Sequence, residues 1–200
     1  SKTRKGTLKP HPVNRVGLFL FWQRRRNDNG MKTLEQLAQE RILVLDGAMG
    51  TMIQKLGLTE EDFHPKGMED HKILLKGNNE LLSLSRPDAI RTIHEQYLAA
   101  GADIVETNTF SATSIAQAEH ECSHLAREMN LASVRLAKEA CAKYTAMDPS
   151  RPRFVAGAIG PMNKTASLSP DVNDPGFRAV TFDQLVSAYK EQVEAMLDAE

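Results

Sequence analysis

The sequence predicts an α/β fold with parallel strand pairing, and three observations carry that expectation. Short apolar-rich segments at residues 42–45, 103–107 and 154–159 recur at intervals long enough for a helical crossover between them. Each ends in a loop of unusual residues: Asp46-Gly47-Ala48-Met49-Gly50, then Asn108-Thr109-Phe110, then Gly160-Pro161-Met162-Asn163. A helical pattern follows each loop. Strand and helix alternating in this order imply parallel pairing and right-handed crossovers. The doubly wound sheet and the (β/α)8 barrel share that order, and both bind ligands at the carboxyl ends of their strands.

The elements can be justified in turn. Thr33 is a helix N-cap, and Leu34, Leu37 and Ala38 give a short first helix its apolar stripe. Ile42-Leu43-Val44-Leu45, four apolar residues bounded by Asp46-Gly47, has the pattern of a strand buried on both faces. Residues 59–80 hold Pro65, Gly67 and Gly77 and predict a long loop with short helical pieces. Gly77-Asn78-Asn79 reads there as a cap for the following helix. Pro87, after Ser85 and before Asp88, marks a helix N-terminus. Ile90, Ile93, Tyr97 and Leu98 form that helix's buried face, and Gly101 stops it. Residues 112–144 predict a long helical region broken near Cys122-Ser123. Residues 182–199 predict a last helix with Leu185, Val186, Tyr189, Val193, Met196 and Leu197 on its buried face.

Composition narrows the function classes. A chain of 200 residues, 41% hydrophobic and 26% charged, is enough for one globular domain with a real core. Charge is unevenly spread. Residues 1–30 carry Lys2, Arg4, Lys5, Lys9, Arg15, Arg24, Arg25 and Arg26 against Asp28, leaving +7 on this leader and −8 on the rest. An acidic body offers nucleic acid no electrostatic footprint, and Phe19, Phe21 and Trp22 are too few to make the leader a stacking platform. Cys122 and Cys141 cannot build a disulfide framework, which fits a reducing, cytoplasmic setting. No apolar run approaches the roughly 18 residues of a membrane span. Residues 16–22 are apolar but precede their arginines, the wrong order for a secretory signal. Residues 1–30 read as a basic, disordered extension, with an organelle transit peptide as the alternative, and residues 31–200 as the folded domain.

The loop Asp46-Gly47-Ala48-Met49-Gly50-Thr51 is the sharpest chemical feature. Its glycines let backbone N–H groups approach a ligand, and a helix starts there with its positive end. Donors for a carboxylate beside an acid for an ammonium suit a zwitterion. Neither dinucleotide nor phosphate-loop glycine spacing is present. The competing reading is a tight strand-to-helix turn whose Asp46 only caps the helix. Glu106-Thr107-Asn108-Thr109-Phe110 ends the second strand. An acid there is costly to bury unless it is paired, so it is either a polar site wall or half of an internal ion pair. Cys122 and Cys141, with His120 and His124 near the first, lie in helical sequence away from strand ends and read as buried thiols rather than zinc ligands.

These residues resemble a known family. Leu45-Asp46-Gly47-Ala48-Met49-Gly50-Thr51-Met52-Ile53-Gln54 and Gly101-Ala102-Asp103-Ile104-Val105-Glu106-Thr107-Asn108-Thr109-Phe110 are similar to motifs of the zinc-dependent homocysteine S-methyltransferases. Lys76-Gly77-Asn78-Asn79 and Ser169-Pro170-Asp171-Val172-Asn173-Asp174-Pro175 resemble, within that group, the N-terminal homocysteine-binding domain of cobalamin-dependent methionine synthases. The likeness covers residues 31–200 and implies a (β/α)8 barrel of which this chain holds roughly the first three βα units. It implies zinc held by three cysteine thiolates that binds homocysteine sulfur and favours its thiolate. It also implies methylcobalamin as methyl donor, recharged by 5-methyltetrahydrofolate, with cobalamin- and folate-binding domains in the same full-length chain. By position, Asp46, Gly47, Ala48, Met49 and Gly50 should cradle the amino-acid end of homocysteine, and Glu106, Asn108, Thr109 and Phe110 should line the same mouth.

The chain departs from the family in length. A barrel needs about 250 residues, and the family's zinc cysteines belong to later strands, so they are expected beyond Glu200. This polypeptide is therefore expected to bind no zinc or cobalamin tightly and not to turn over alone. Two other readings stand beside this one: a homocysteine methyltransferase using betaine or S-methylmethionine, and a non-catalytic truncated product acting through association.

Overall fold

A reciprocal cap sets the first helix, α1 (Leu34–Glu40). The Gln36 amide N–H donates to Thr33 Oγ1 at 3.3 Å, and the Thr33 N–H donates to Gln36 Oε1 at 2.8 Å. Two of the helix's orphan donors are satisfied in this way. The computed structural model describes residues 31–199, so the expectations for the basic leader lie outside the described residues.

The chain then runs into a parallel ladder. Leu45 pairs with Ile104 in a single bridge, extended by Asp103 N–H to Val44 O at 2.8 Å and Asp46 N–H to Ile104 O at 2.9 Å. Strand β1 (Ile104–Glu106) pairs in parallel with β2 (Phe154–Ala156), setting Ile104 opposite Phe154 and Glu106 opposite Ala156. The spatial order is the 45 segment, then β1, then β2. Consecutive strands lie side by side with helices between them, as the sequence pattern predicts.

The remaining helices are α2 (Met49–Lys55), α3 (Leu82–Ser85), α4 (Pro87–Ala99), α5 (Ser114–Gln117), α6 (Ala126–Met147) and α7 (Phe182–Asp198). Pro87 occupies the first turn of α4, where its missing N–H costs nothing. Gly101, at φ +107, supplies the left-handed residue that ends α4's trailing turn and feeds β1. Helix α4 packs on α6, and α6 on α7. Val105 points into this helical layer, buried with Leu98 of α4 and Ala137, Ala140 and Cys141 of α6. A larger cluster, including Leu75, Leu81, Leu82, Ile90, Ile93 and Met129, fills the space beneath α2, α3 and α4. The expected loop over residues 59–80 carries the expected short helical pieces, Glu61–Phe63 and the start of Asn79–Leu81.

Three expectations need correction. The segment 42–45 is not buried on both faces: Ile42 is 89% exposed and Val44 53%. Among the described residues its ladder partner is β1, and the helices cover the other face of that ladder. The long helical region breaks where expected, beside Glu121 with φ 54, but Cys122 lies buried in that break rather than in a helix. Helix α7 buries only part of its predicted face: Met196 is buried, and Tyr189 and Val193 pack against the same cluster. Ala188, Gln192, Ala195 and Met196 are buried, whereas Val186 and Leu197 are half exposed. Small side chains let α7 approach α6 closely, and a pattern read on hydrophobicity favours the larger residues instead.

The amino ends of the strands are closed by ions. The Asp103 carboxylate is 1% exposed and takes a bidentate pair from Arg41 at 2.7 Å on each arm. Arg151 and Arg153 stand 3.6 and 3.8 Å away. The Arg41 hydrogen bonds outweigh burial and hold Asp103 down at about 2.

Candidate functional site

At the opposite, carboxyl ends of the strands Asp46 and Glu106 meet. Asp46 follows the 45 bridge and ends the ladder in an unusual way. Its own Oδ2 accepts the Glu106 backbone N–H at 3.1 Å, in a position where a parallel ladder would use a main-chain carbonyl. No side chain caps α2, whose N-cap position is Ala48. Asp46 therefore does not cap the helix, and the first-turn N–H groups of the glycine loop have no side-chain partner.

Gly47 lies close against Tyr97 of α4. A Cβ there would lie 3.2 Å from the Tyr97 hydroxyl, which also donates to Ala48 O at 3.4 Å. At Gly50 a Cβ would meet only Asn79 Nδ2, at an ordinary 3.7 Å.

Glu106 faces away from the helical layer, on the same side of β1 as Ile104, because side chains alternate along a strand and Val105 faces the helices. Its Oε1 is buried with no hydrogen-bond partner. Among the described residues it forms no ion pair, which removes the internal-pair reading. Burial raises the Glu106 carboxyl above its ordinary range. Burial also pushes Asp46 up to about 7, helped by the negative charge of Glu106 and opposed by the Glu106 amide.

The side chains of Asn108 and Thr109 are turned into packing. Asn108 Nδ2 donates to Asn79 O at 2.7 Å and to Ser83 Oγ at 3.2 Å. Thr109 Oγ1 donates to Ala158 O at 2.7 Å, and Thr107 Oγ1 accepts the Ala158 N–H at 3.0 Å. These bonds tie the loop after β1 to the chain leaving β2. Phe110, by contrast, is 48% exposed. Its carbonyl accepts the Gly160 N–H at 3.0 Å, and a Cβ at position 160 would stand 2.5 Å from that same oxygen. Only glycine fits there.

Several supports escaped the sequence reading. Glu80 is buried, with its carboxyl raised by that burial, and accepts the Ser111 N–H at 2.9 Å. Asn78 does not cap with its side chain but forms a reciprocal amide pair with Gln117, at 2.6 and 3.1 Å. Helix α7 reaches both loops: Gln192 Nε2 donates to Thr109 O at 2.7 Å, and the Tyr189 hydroxyl to Gly160 O at 3.0 Å. A buried amide within a helix is the available signal for such a role, and Gln192 offers it.

The thiols do not fit a metal site. Cys141 donates to Phe154 O at 3.4 Å, and burial pushes it up to about 12. Cys122 donates to His120 O at 3.1 Å and is raised by burial as well. Among the described residues no group of three or more His, Cys, Asp or Glu side chains is placed to hold a metal ion. Nor is any described helix long and apolar enough to cross a membrane.

Solved structures are similar to this chain in fold. The metallated form of the homocysteine methyltransferase MmuM from Escherichia coli matches with a TM-score of 0.59 and 27% identity, over 83% of this chain and 54% of that one. Its oxidized form matches with a TM-score of 0.59 and 26% identity, over 83% and 53%. The chain thus spans about half the length of the solved structures it matches. The model of the homocysteine S-methyltransferase family matches residues 43–200, from the first strand segment through α7. The chain belongs to the homocysteine S-methyltransferase family.

Proposed function

We propose that this chain supplies the amino-acid-recognising part of a homocysteine S-methyltransferase of the methionine synthase type. The observation that carries the reading is the meeting of Asp46, the uncapped loop from Gly47 to Gly50, and Glu106 at the carboxyl ends of adjacent parallel strands. The loop N–H groups hold the homocysteine carboxylate. Asp46 takes its ammonium, and Phe110 covers the apolar chain between the two ends. Asn108 and Thr109 contribute by fixing the loop that carries Phe110. The sulfur points away from this cluster, toward elements that the described residues do not include.

Methylcobalamin is the methyl donor in this reading, recharged from 5-methyltetrahydrofolate. Support comes from the resemblance of residues 76–79 and 169–175 to methionine synthases rather than to betaine- or S-methylmethionine-using enzymes. A zinc ion would activate the homocysteine thiol in the complete enzyme. Cys122 and Cys141 are unsuited to hold it, since both are buried and raised by that burial.

Competition separates the ends of the substrate. With homocysteine bound, 2-aminobutyrate (the zwitterion without the thiol) is expected to displace it. The amine-free thiol acid 4-mercaptobutyrate should compete at least about tenfold less well, the value of one charge-assisted hydrogen bond. Equal competition by the two would remove the proposed role of this end. In the full-length protein, methyl transfer from methylcobalamin, with none from betaine or S-methylmethionine, tests the donor.

A further inference from the structure

His64 stands between two acceptors. Its Nδ1 lies 2.7 Å from Met68 O and its Nε2 3.0 Å from Glu60 Oε1, with the side chain only 13% exposed. A main-chain carbonyl and a carboxylate can only accept, and a neutral imidazole carries one N–H. Both bonds together therefore require the imidazolium. A protonated Glu60 would donate to Nε2 instead, but its two oxygens already accept the Leu75 and Lys76 amides, at 2.5 and 2.9 Å. A carboxyl holding two backbone N–H groups is kept ionised.

We propose that His64 is a pH-operated staple: as an imidazolium it ties Glu60 to Met68, and on losing one proton it lets the Met68 turn go. The inference goes beyond the functional reading above and does not depend on it.

The step follows from the two acceptors. The carboxylate is the stronger, so a neutral ring keeps its proton on Nε2, toward Glu60. The proton on Nδ1 passes to solvent, and Nδ1 then turns a lone pair on Met68 O, which repels it. Met68 O also accepts the His71 N–H at 3.1 Å, and the Met68 N–H donates to Pro65 O at 3.0 Å, so the turn from 65 to 71 loses its anchor. Glu60 stays in place through Leu75 and Lys76. The turn bears on the site because Met68 packs on the core cluster that also seats Met49 and Met52 of α2 and Tyr97 of α4.

The charges around His64 favour the imidazolium. Glu60 and Glu61 act on it from the start of the short helical piece before it, and His64 in turn acts on Glu69 in the turn after it. Arg86, a base that reaches the same helical piece, is paired with Asp62 and Asp88. His71, the other histidine of the turn, places Nε2 2.9 Å from His120 O, a bond that either charge state of its ring can make. The Glu60 hydrogen bond, and after it the Met68 carbonyl, hold His64 above its ordinary 6.5. The staple is therefore closed below pH 6.5 and opens as pH rises through the higher, folded value.

Ring-nitrogen NMR of the full chain reads the charge state. Both His64 nitrogens should carry protons at pH 6, with one deprotonation step above pH 6.5 that moves down in Glu60→Gln. A bare nitrogen at pH 6, or a step that Glu60→Gln leaves in place, would overturn the staple. Amide exchange, expressed as protection relative to the unfolded chain, reads the turn. Protection of the Met68 and His71 amides should fall about tenfold across the His64 step, as loss of a hydrogen bond to a charged group implies. In His64→Gln it should stay level over the same range. Protection that crosses the step unchanged in the native chain, or falls equally in His64→Gln, overturns the release even with the ring charged. Should Glu60→Gln fail to fold, the native titration and the His64→Gln comparison still decide.

Discussion

Gly160 and Phe110 touch so closely that the backbone of one forbids a side chain on the other: a Cβ at 160 would sit 2.5 Å from Phe110 O and 2.6 Å from its Cδ1. This contact joins the loops after β1 and β2 and sets Phe110 at the mouth. Gly160→Ala is expected to cost about 1–3 kcal/mol, the usual price of overpacking. Gly50→Ala has room at 3.7 Å and lies in α2, so it should stabilise by up to about 1 kcal/mol while weakening homocysteine binding. Denaturant unfolding of both variants checks the pair. Equal stability of the two would show that the close approach is not real.

The ion cluster at the amino ends of the strands should matter for stability and not for ligand. Asp103→Asn leaves Arg41, Arg151 and Arg153 facing one another without their shared acceptor charge. Breaking a buried pair in this way costs about 3–5 kcal/mol, with the lower figure expected because Arg41 is partly exposed. Asp103 is held at about 2 in the folded protein, below its unfolded value. Its contribution is therefore present above pH 4 and lost as pH falls toward 2. Stability measured from pH 5 to pH 2 should fall more steeply for the native chain than for Asp103→Asn.

His94 predicts the opposite kind of group, a residue that burial keeps neutral. It is completely buried in α4, neither ring nitrogen has a hydrogen-bond partner, and burial lowers it to about 4. The unfolded chain takes up a proton there near pH 6.5 and the folded one does not, so stability declines as pH falls from about 6.5 to 4. His94→Leu should flatten the stability curve in that window. A slope unchanged by the substitution would contradict the burial argument.

Sequence reading recovered what local chemistry encodes. Thr33 caps the first helix, Pro87 opens α4, and the three strand segments pair in parallel in their chain order. Asp46 and Glu106 lie at neighbouring strand ends, as alternation of strand and helix places them. What escaped were contacts between residues far apart in the chain. Asn78 meets Gln117, Glu80 meets Ser111, and Gln192 meets Thr109, and no periodicity announces such polar pairs. The exposure of Ile42 and Val44 escaped for a related reason: burial of a strand depends on neighbours that a four-residue apolar run does not specify.

Asp46 is the acid assigned to the homocysteine ammonium, and one comparison tests that assignment. Homocysteine affinity of the native chain and of Asp46→Ala is measured by calorimetry, with unfolding curves alongside to register the lost bond to the Glu106 amide. The native affinity should rise as pH passes through about 7, where the Asp46 carboxyl ionises. Asp46→Ala should weaken binding about tenfold or more and lose that pH dependence. A folded Asp46→Ala chain that binds homocysteine as tightly as the native one at every pH would contradict the assignment.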